Sequence, residues 1–271
     1  MKRVFIFFIF LSSLKANSQE DLRKISDSIY AEGLRLYKSE MASWYGTDIF
    51  LAKYSNRQNV GGYFSYSDGN FAKCIFFSKE TYPKVIGTIS FDSSYKIANA
   101  FLDLNERAFS TYEKDLYSIR SATLKIISRD TLLKQYENTS LNIIPLIVND
   151  ERKVYILTGT NENGVVIFGN DYLLSFDQSN NFIAKKRLHA NIISIHVGNV
   201  KGDSTVGTMH SHLPQTGDFI TATDICTLML YEKFTAWNQH YVISKKYISI
   251  WDCKKNILAI ITREAWDKIN K

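Results

Sequence analysis

The sequence predicts an α+β protein, with an N-terminal helix and a small antiparallel sheet region followed by a mixed sheet flanked by helices. Three observations favour this class. Apolar residues recur at helical spacings of three and four over residues 21–45. Short strand-like runs separated by Gly, Asn and Asp turns fill residues 48–100 and return after residue 143. A strand-then-helix pattern follows near the C-terminus, over residues 206–234.

The first 18 residues predict a secretory signal. Lys2 and Arg3 precede an apolar run, Val4 to Leu11, and Ala16-Asn17-Ser18 has the small-x-small pattern of a cleavage site. We therefore expect export to the periplasm or the extracellular space. Loss of residues 1–18 would leave 30 basic and 27 acidic residues, so the basic balance gives no case for a nucleic-acid partner. No later segment has the length and apolarity of a transmembrane span.

The N-terminal region, residues 19–140, is expected to contain a helix, a sheet and a second helix. The first helix should end at Gly46. Asp103-x-x-Glu106 has the pattern of a capping box and predicts the start of the second helix, with Phe109, Tyr112, Leu116 and Ile119 on one face. The predicted strands are a segment that opens at Gly61-Gly62-Tyr63-Phe64, Ala72–Ser78 and Val85–Phe91.

A polar stretch over residues 130–142 predicts a boundary, so that residues 141–271 form a second α+β domain. Gly169-Asn170-Asp171 is expected to be a bulge inside one strand. Thr221-x-x-Asp224 predicts the cap of a helix that runs to about Phe234. The predicted strands are Lys153–Thr158, Val165–Phe176, a long strand Phe182–Val197, Val206–His212, His240–Ser244, Tyr247–Asp252 and Ile257–Thr262.

His210-Ser211-His212 is the most informative motif of the chain. Two histidines two residues apart point to the same side of a β-strand. Asp224, at the start of the next helix, would add a carboxylate, and two imidazoles with one carboxylate and an open position form a catalytic Zn²⁺ set. Two plainer readings compete: Thr221-x-x-Asp224 can be a cap alone, and a His-x-His strand can be polar surface.

Residues 145–260 resemble the JAB/MPN-type metallopeptidases, the JAMM family. The resemblance lies in His210 and His212, in Pro214, which follows one residue late because Leu213 is inserted, and in Thr221 and Asp224. It implies that His210, His212 and Asp224 bind Zn²⁺, that Thr221 takes the place of an oxyanion-stabilising Ser, and that the substrate is a protein or peptide. The family also has a general-base Glu on an upstream strand, and Glu151 matches that strand order best.

Several other residues compete for roles at this site. Glu162, in a Gly/Asn-rich loop, and Asp171 are alternative bases. His189, expected in a strand beside the His-pair strand, is either a further zinc ligand, a proton carrier or a histidine bonded to the backbone. His196 and His240 are expected to face solvent or a neighbouring side chain. Cys74, Cys226 and Cys253 are expected to be buried thiols, with a Cys226–Cys253 bridge as the alternative.

Three hypotheses of function follow. The first is an exported zinc-dependent hydrolase of amide or isopeptide bonds. The second is a non-catalytic JAB-like binding or scaffold protein of the cell envelope, with or without a structural metal. The third is a secreted effector or immunity-type protein, which rests on a resemblance of the Tyr241–Ile250 hairpin to JAB-like toxin domains.

Overall fold

The structure, a computed structural model, describes residues 4–197 and 206–270, with side chains from Gln19 onward except that of Val206. These residues form an α+β fold, as predicted. The helices are α1 Val4–Lys53, α2 Thr111–Ile127, α3 Ala222–Tyr231 and α4 Arg263–Ile269. The strands are β1 Val60–Asp68, β2 Phe71–Ser78, β3 Val85–Phe91, β4 Phe101–Asp103, β5 Thr139–Val148, β6 Glu151–Thr160, β7 Val165–Gly169, β8 Tyr172–Phe176, β9 Phe182–Arg187, β10 Ile192–His196, β11 Val206–Ser211, β12 Trp237–Ile243, β13 Tyr247–Asp252 and β14 Ile257–Thr262.

The chain divides into two compact units. One comprises Met1–Gly33 with Val200–Lys271, and the other comprises Leu34–Asn199. The boundary expected near residue 140 lies inside the unit Leu34–Asn199 and coincides with neither limit of that unit. Residues on both sides of it share a core, because Ile119 of α2 packs in one apolar cluster with Val154 and Ile156 of β6.

Helix α1 continues past Gly46, so the prediction that this glycine ends the helix is wrong. A Cβ at Gly46 would lie 2.6 Å from the Cβ of Cys74, and the glycine therefore permits close packing instead of terminating the helix. The added turns bury Phe50, whose ring stacks on Phe76 with centroids 3.9 Å apart. This contact replaces the start of β-structure that was expected at residue 48.

The first sheet of the unit Leu34–Asn199 has the order β1-β2-β3-β4, with antiparallel pairing throughout. The three predicted strands are present. The expected capping box at Asp103 and Glu106 is wrong, because Ser110 and Glu113 form the box at the start of α2. Asp103 instead ends the edge strand β4 and accepts hydrogen bonds from the backbone and side chain of Asn105.

Two further sheets of this unit have the orders β5-β6-β8-β9 and β10-β7. The break at Gly169-Asn170-Asp171 is not a bulge within one strand, because β7 pairs with β10 whereas β8 pairs with β6 and β9. The expected long strand over 182–197 is likewise two strands, β9 and β10, in different sheets. The two strand breaks lie next to each other, because Asn170 N, between β7 and β8, donates a hydrogen bond to Asn191 O, between β9 and β10.

The other unit contains the mixed sheet β11-β12-β13-β14, in which β11 and β12 are parallel and the remaining pairs antiparallel. Its first helix segment packs closely on α3, since a Cβ at Gly33 would lie 2.6 Å from Ile225 Cβ. The ring of Tyr30 contacts that of Trp251, which is fully buried. Cys74, Cys226 and Cys253 are buried thiols outside any disulfide bond, as expected.

Candidate metal centre

Strand β11 presents one polar face to the interior of its unit. Thr208, His210 and His212 are each two residues apart, so their side chains share one side of the strand. His210 and His212 are buried, with 7% and 5% of their surface exposed. His212 follows the last residue of β11, and its N–H donates to Ile243 O, which extends the pairing with β12 by one step. The reading of the motif as polar surface is therefore wrong.

The N-terminus of α3 supplies the carboxylate. Thr221 is the N-cap, and its hydroxyl accepts a hydrogen bond from Asp224 N at 3.2 Å. The Asp224 Oδ2 atom in turn accepts from Thr221 N at 2.9 Å and from Thr221 Oγ1 at 2.8 Å. These bonds fix the Asp224 rotamer at the N-terminus of α3, and only 1% of the residue is exposed.

The ligand atoms of His210, His212 and Asp224 lie within 4.8 Å of one another. The two Nε2 atoms are 3.1 Å apart. Asp224 Oδ1 lies 3.7 Å from His210 Nε2, and Oδ2 lies 3.6 Å from His212 Nε2. Ligands at about 2.0–2.2 Å in a tetrahedral shell are about 3.3–3.6 Å from each other, and the three separations lie within about 0.2 Å of that range, which is close to the spacing that one zinc ion requires.

Asp224 is therefore consistent with both interpretations of the sequence, as part of a helix cap and as a candidate metal ligand. It belongs to the capping box of α3, and it also faces both imidazoles. A buried group of two histidines and one aspartate in this arrangement could hold a metal ion. Histidine nitrogens with a carboxylate oxygen form the donor set of many zinc sites, although other divalent metals also accept imidazole and carboxylate ligands.

Leu213 lies in a turn that begins immediately after His212. Thr216 N and Thr216 Oγ1 both donate to Leu213 O at 2.9 Å, and the Leu213 residue is 42% exposed. Leu213 therefore lies at the surface. Before α3, Ile220 N donates to the buried Ser249 Oγ of β13, which anchors the connection to the sheet.

His240 is fully buried, so of the two surroundings expected for it, solvent is wrong and a neighbouring side chain is confirmed. Its Nε2 atom is hydrogen-bonded to His210 Nδ1 at 2.9 Å, and its Nδ1 atom to Thr208 Oγ1 at 2.8 Å. Burial lowers the pKa of His240 to about 4; the charge of Asp224 opposes this shift, and His212 adds to it. The uncharged imidazole is therefore the form present at neutral pH.

Thr221 lies at the site, but its hydroxyl is directed to Asp224 Oδ2 and to Thr223 Oγ1, 2.9 Å away. In this arrangement the hydroxyl orients the carboxylate. The expected role of Thr221 at an oxyanion stays a prediction.

His189 and Asp171 belong to the unit Leu34–Asn199. His189 lies between β9 and β10 and not in a strand, which corrects that part of the prediction. It is 2% exposed, and its Nδ1 atom is 3.5 Å from Asp171 Oδ2. Asp171 Oδ1 accepts a hydrogen bond from Thr158 N. The role of His189 as a further ligand stays a prediction.

The two glutamates proposed as bases are both at the surface of the same unit. Glu151, the first residue of β6, has a side chain that is 67% exposed and forms an ion pair with Lys153 at 2.7 Å. The hydrogen bond that Lys153 donates and the positive charge of Lys153 hold the pKa of Glu151 below its ordinary value. Glu162 accepts a hydrogen bond from Asn138 Nδ2. A base function for either residue stays a prediction.

Thr208 and His240 are the residues that the sequence reasoning missed. The available signal was the period of two, which extends the motif backwards from His210 to Thr208. His240 had no local signal, because the parallel register that sets it opposite Thr208 joins positions 32 residues apart.

Comparison of the chain with protein-family models, with curated proteins and with solved structures finds no match to any of them.

Proposed function

We propose that this protein is an exported zinc-dependent hydrolase of amide or isopeptide bonds. The observation that carries the proposal is the convergence of the buried His210 Nε2, His212 Nε2 and Asp224 carboxylate, at separations close to those of ligands on one zinc ion. If His210, His212 and Asp224 are the protein ligands, they would leave one tetrahedral position open, which is the arrangement of catalytic zinc sites and not of closed structural ones. The likeness to the JAMM motif supports the choice of amide bonds as the substrate class.

The residues of such a site would have separate roles. A zinc ion with an open position supplies Lewis-acid polarisation of a carbonyl and a nucleophile at neutral pH. His210, His212 and Asp224 would hold the ion, and the capping bonds from Thr221 keep the carboxylate oriented toward the two imidazoles. Burial excludes bulk water and strengthens each charge interaction within the site.

Export is part of the proposal, supported by the charged and apolar pattern of residues 1–18. This segment lies outside the residues whose side chains are described. Among the described helices, none combines the length and apolar character that a membrane crossing requires.

A second candidate function is a non-catalytic envelope module that uses the metal for structure. The exposure of Glu151 and its ion pair with Lys153 favour it, because a general base is normally held next to the reacting centre. The two candidates share the metal and differ in whether bonds are cleaved.

The test is zinc binding by the purified protein, followed by assays with peptide and isopeptide substrates. We expect one zinc per chain and, at zinc concentrations about 100 times Kd, a rise in Tm of about 5–10 °C. His212→Ala should remove both effects, whereas His196→Ala, which replaces an exposed histidine of β10, should keep them. A wild-type protein that binds no zinc would refute the proposal; zinc bound without hydrolysis would favour the structural candidate.

A further inference from the structure

We infer that His240 is a positioning residue for the metal centre: it fixes the proton of His210 on Nδ1 and so leaves His210 Nε2 unprotonated, with a lone pair that can bind a metal ion. This inference rests on the proposed zinc site and adds two residues to it, His240 and Thr208. Neither residue lies within the motif that predicted the site.

The three side chains form one hydrogen-bonded series along two strands. Thr208 Oγ1 bonds to His240 Nδ1 at 2.8 Å, and His240 Nε2 bonds to His210 Nδ1 at 2.9 Å. The other nitrogen of His210, Nε2, faces His212 and Asp224. Both nitrogens of His240 and both nitrogens of His210 are therefore directed at defined partners.

Only one arrangement of protons is compatible with a metal at His210 Nε2. A neutral imidazole carries one proton, so a metal-binding Nε2 requires the proton on Nδ1. The His210 Nδ1–H group then donates to His240 Nε2, which must accept. The single proton of His240 is consequently on Nδ1, where it donates to Thr208 Oγ1.

The parallel register of β11 and β12 makes this series rigid. Thr208 is paired with His240 and His210 with Val242, and the His240 ring bonds to the side chains of both Thr208 and His210. His240 is 0% exposed and cannot exchange this bond for one to bulk water. Groups that bond to the distal nitrogen of a metal-binding histidine fix its ring and tautomer, and their loss weakens binding about 10–100-fold.

Zinc titration of matched variants tests the inference. With Zn²⁺ as the probe, His240→Ala should weaken binding about 10–100-fold. His240→Gln should restore most of the affinity, because its side-chain oxygen can accept from His210 Nδ1–H. Thr208→Val should have a smaller effect in the same direction, while Thr208→Ser, which keeps the hydroxyl, should match wild type.

Ring ¹⁵N NMR of the metal-free protein gives a second readout that a merely structural role would not move. We expect the protons of both His210 and His240 on Nδ1 in wild type, and loss of that fixed tautomer for His210 in His240→Ala. A proton on His240 Nε2, or equal zinc affinity in His240→Ala and wild type, would overturn the inference. Absence of zinc binding in wild type would instead defeat the proposed function, and the two failures can be told apart because the NMR spectra are recorded on the metal-free protein.

Discussion

Two buried carboxylates of this protein occupy the same position in the same local motif and have different surroundings. Glu113 and Asp224 are each the third residue of a helix that begins with a capping box, at α2 and α3. They are 2% and 1% exposed. Each accepts a hydrogen bond from the backbone N–H of its N-cap residue, Ser110 or Thr221.

The surroundings of Glu113 neutralise its charge. Arg107 donates to both of its oxygens, at 2.6 and 2.8 Å, and Tyr66 Oη donates at 2.9 Å. Burial alone would raise the pKa of Glu113, but these bonds, the Ser110 N–H and the charge of Arg107 outweigh it and hold the pKa below the usual 4.5. Its carboxylate is structural.

Asp224 faces two imidazole rings. Its Oδ1 atom lies 3.7 Å from His210 Nε2 and its Oδ2 atom lies 3.6 Å from His212 Nε2, which is close to the separation of two ligands that share a metal ion. The capping motif alone therefore does not distinguish a structural carboxylate from a metal ligand. The distinction depends on the partners that the tertiary fold brings to the carboxylate oxygens.

The largest expected difference between the two carboxylates is in zinc binding. Asp224→Asn keeps an oxygen that can accept from Thr221 N, but it removes the negative charge, and we expect the zinc affinity to fall by more than about 100-fold. Glu113→Gln should leave the affinity at the wild-type value. Calorimetric titration with Zn²⁺ measures both, and equal losses in the two variants would erase the distinction.

For the stability of the metal-free protein we expect the opposite, with the larger effect at the surroundings of Glu113. Arg107→Met leaves Glu113 buried without its cation, and we expect a loss of about 2–4 kcal/mol in the free energy of unfolding, nearer the lower value because the Arg107 side chain is 38% exposed. Zinc affinity should not change. Denaturant unfolding of the metal-free protein provides the measurement.

The pH dependence of that loss has a defined sign. Because the pKa of Glu113 is lower in the folded state, its contribution is present above the unfolded value of 4.5 and is lost as the pH falls through the folded pKa. The difference between wild type and Arg107→Met should therefore narrow in acid. A difference that widens below pH 4.5 would contradict the assignment.

The smallest expected effects come from the two caps. Ser110→Ala and Thr221→Ala should each cost about 1 kcal/mol of stability. Only Thr221→Ala should also weaken zinc binding, by about 10-fold, because Asp224 Oδ2 loses the hydroxyl donor that orients it. If both variants bound zinc like wild type, the cap would have no part in ligand orientation.

Much of the fold could be predicted from local patterns. The strands β2, β3, β13 and β14 and the capping box of α3 follow from periodicity and turn residues. Gly46 was misread because a glycine in a helical pattern signals either an end or a close approach, and only the contact with Cys74 decides. The strand breaks near residues 170 and 190 were missed because periodicity does not reveal a change of sheet.

The candidate site was predictable only where its residues are close in sequence. His210 and His212 share a strand face by the period of two, and Asp224 follows on the next helix. His240 reaches His210 through the parallel pairing of β11 and β12, which no local pattern indicates. The partners of Asp224 and Glu113 likewise depend on tertiary packing.

X-ray absorption of the zinc-loaded protein tests the central claim most directly, because it counts the ligands of the metal. We expect zinc at about 2.0–2.1 Å from nitrogen and oxygen atoms, with scattering from imidazole rings in wild type. Zinc surrounded by oxygen atoms alone, without imidazole scattering, would contradict the assignment of His210, His212 and Asp224 as its ligands.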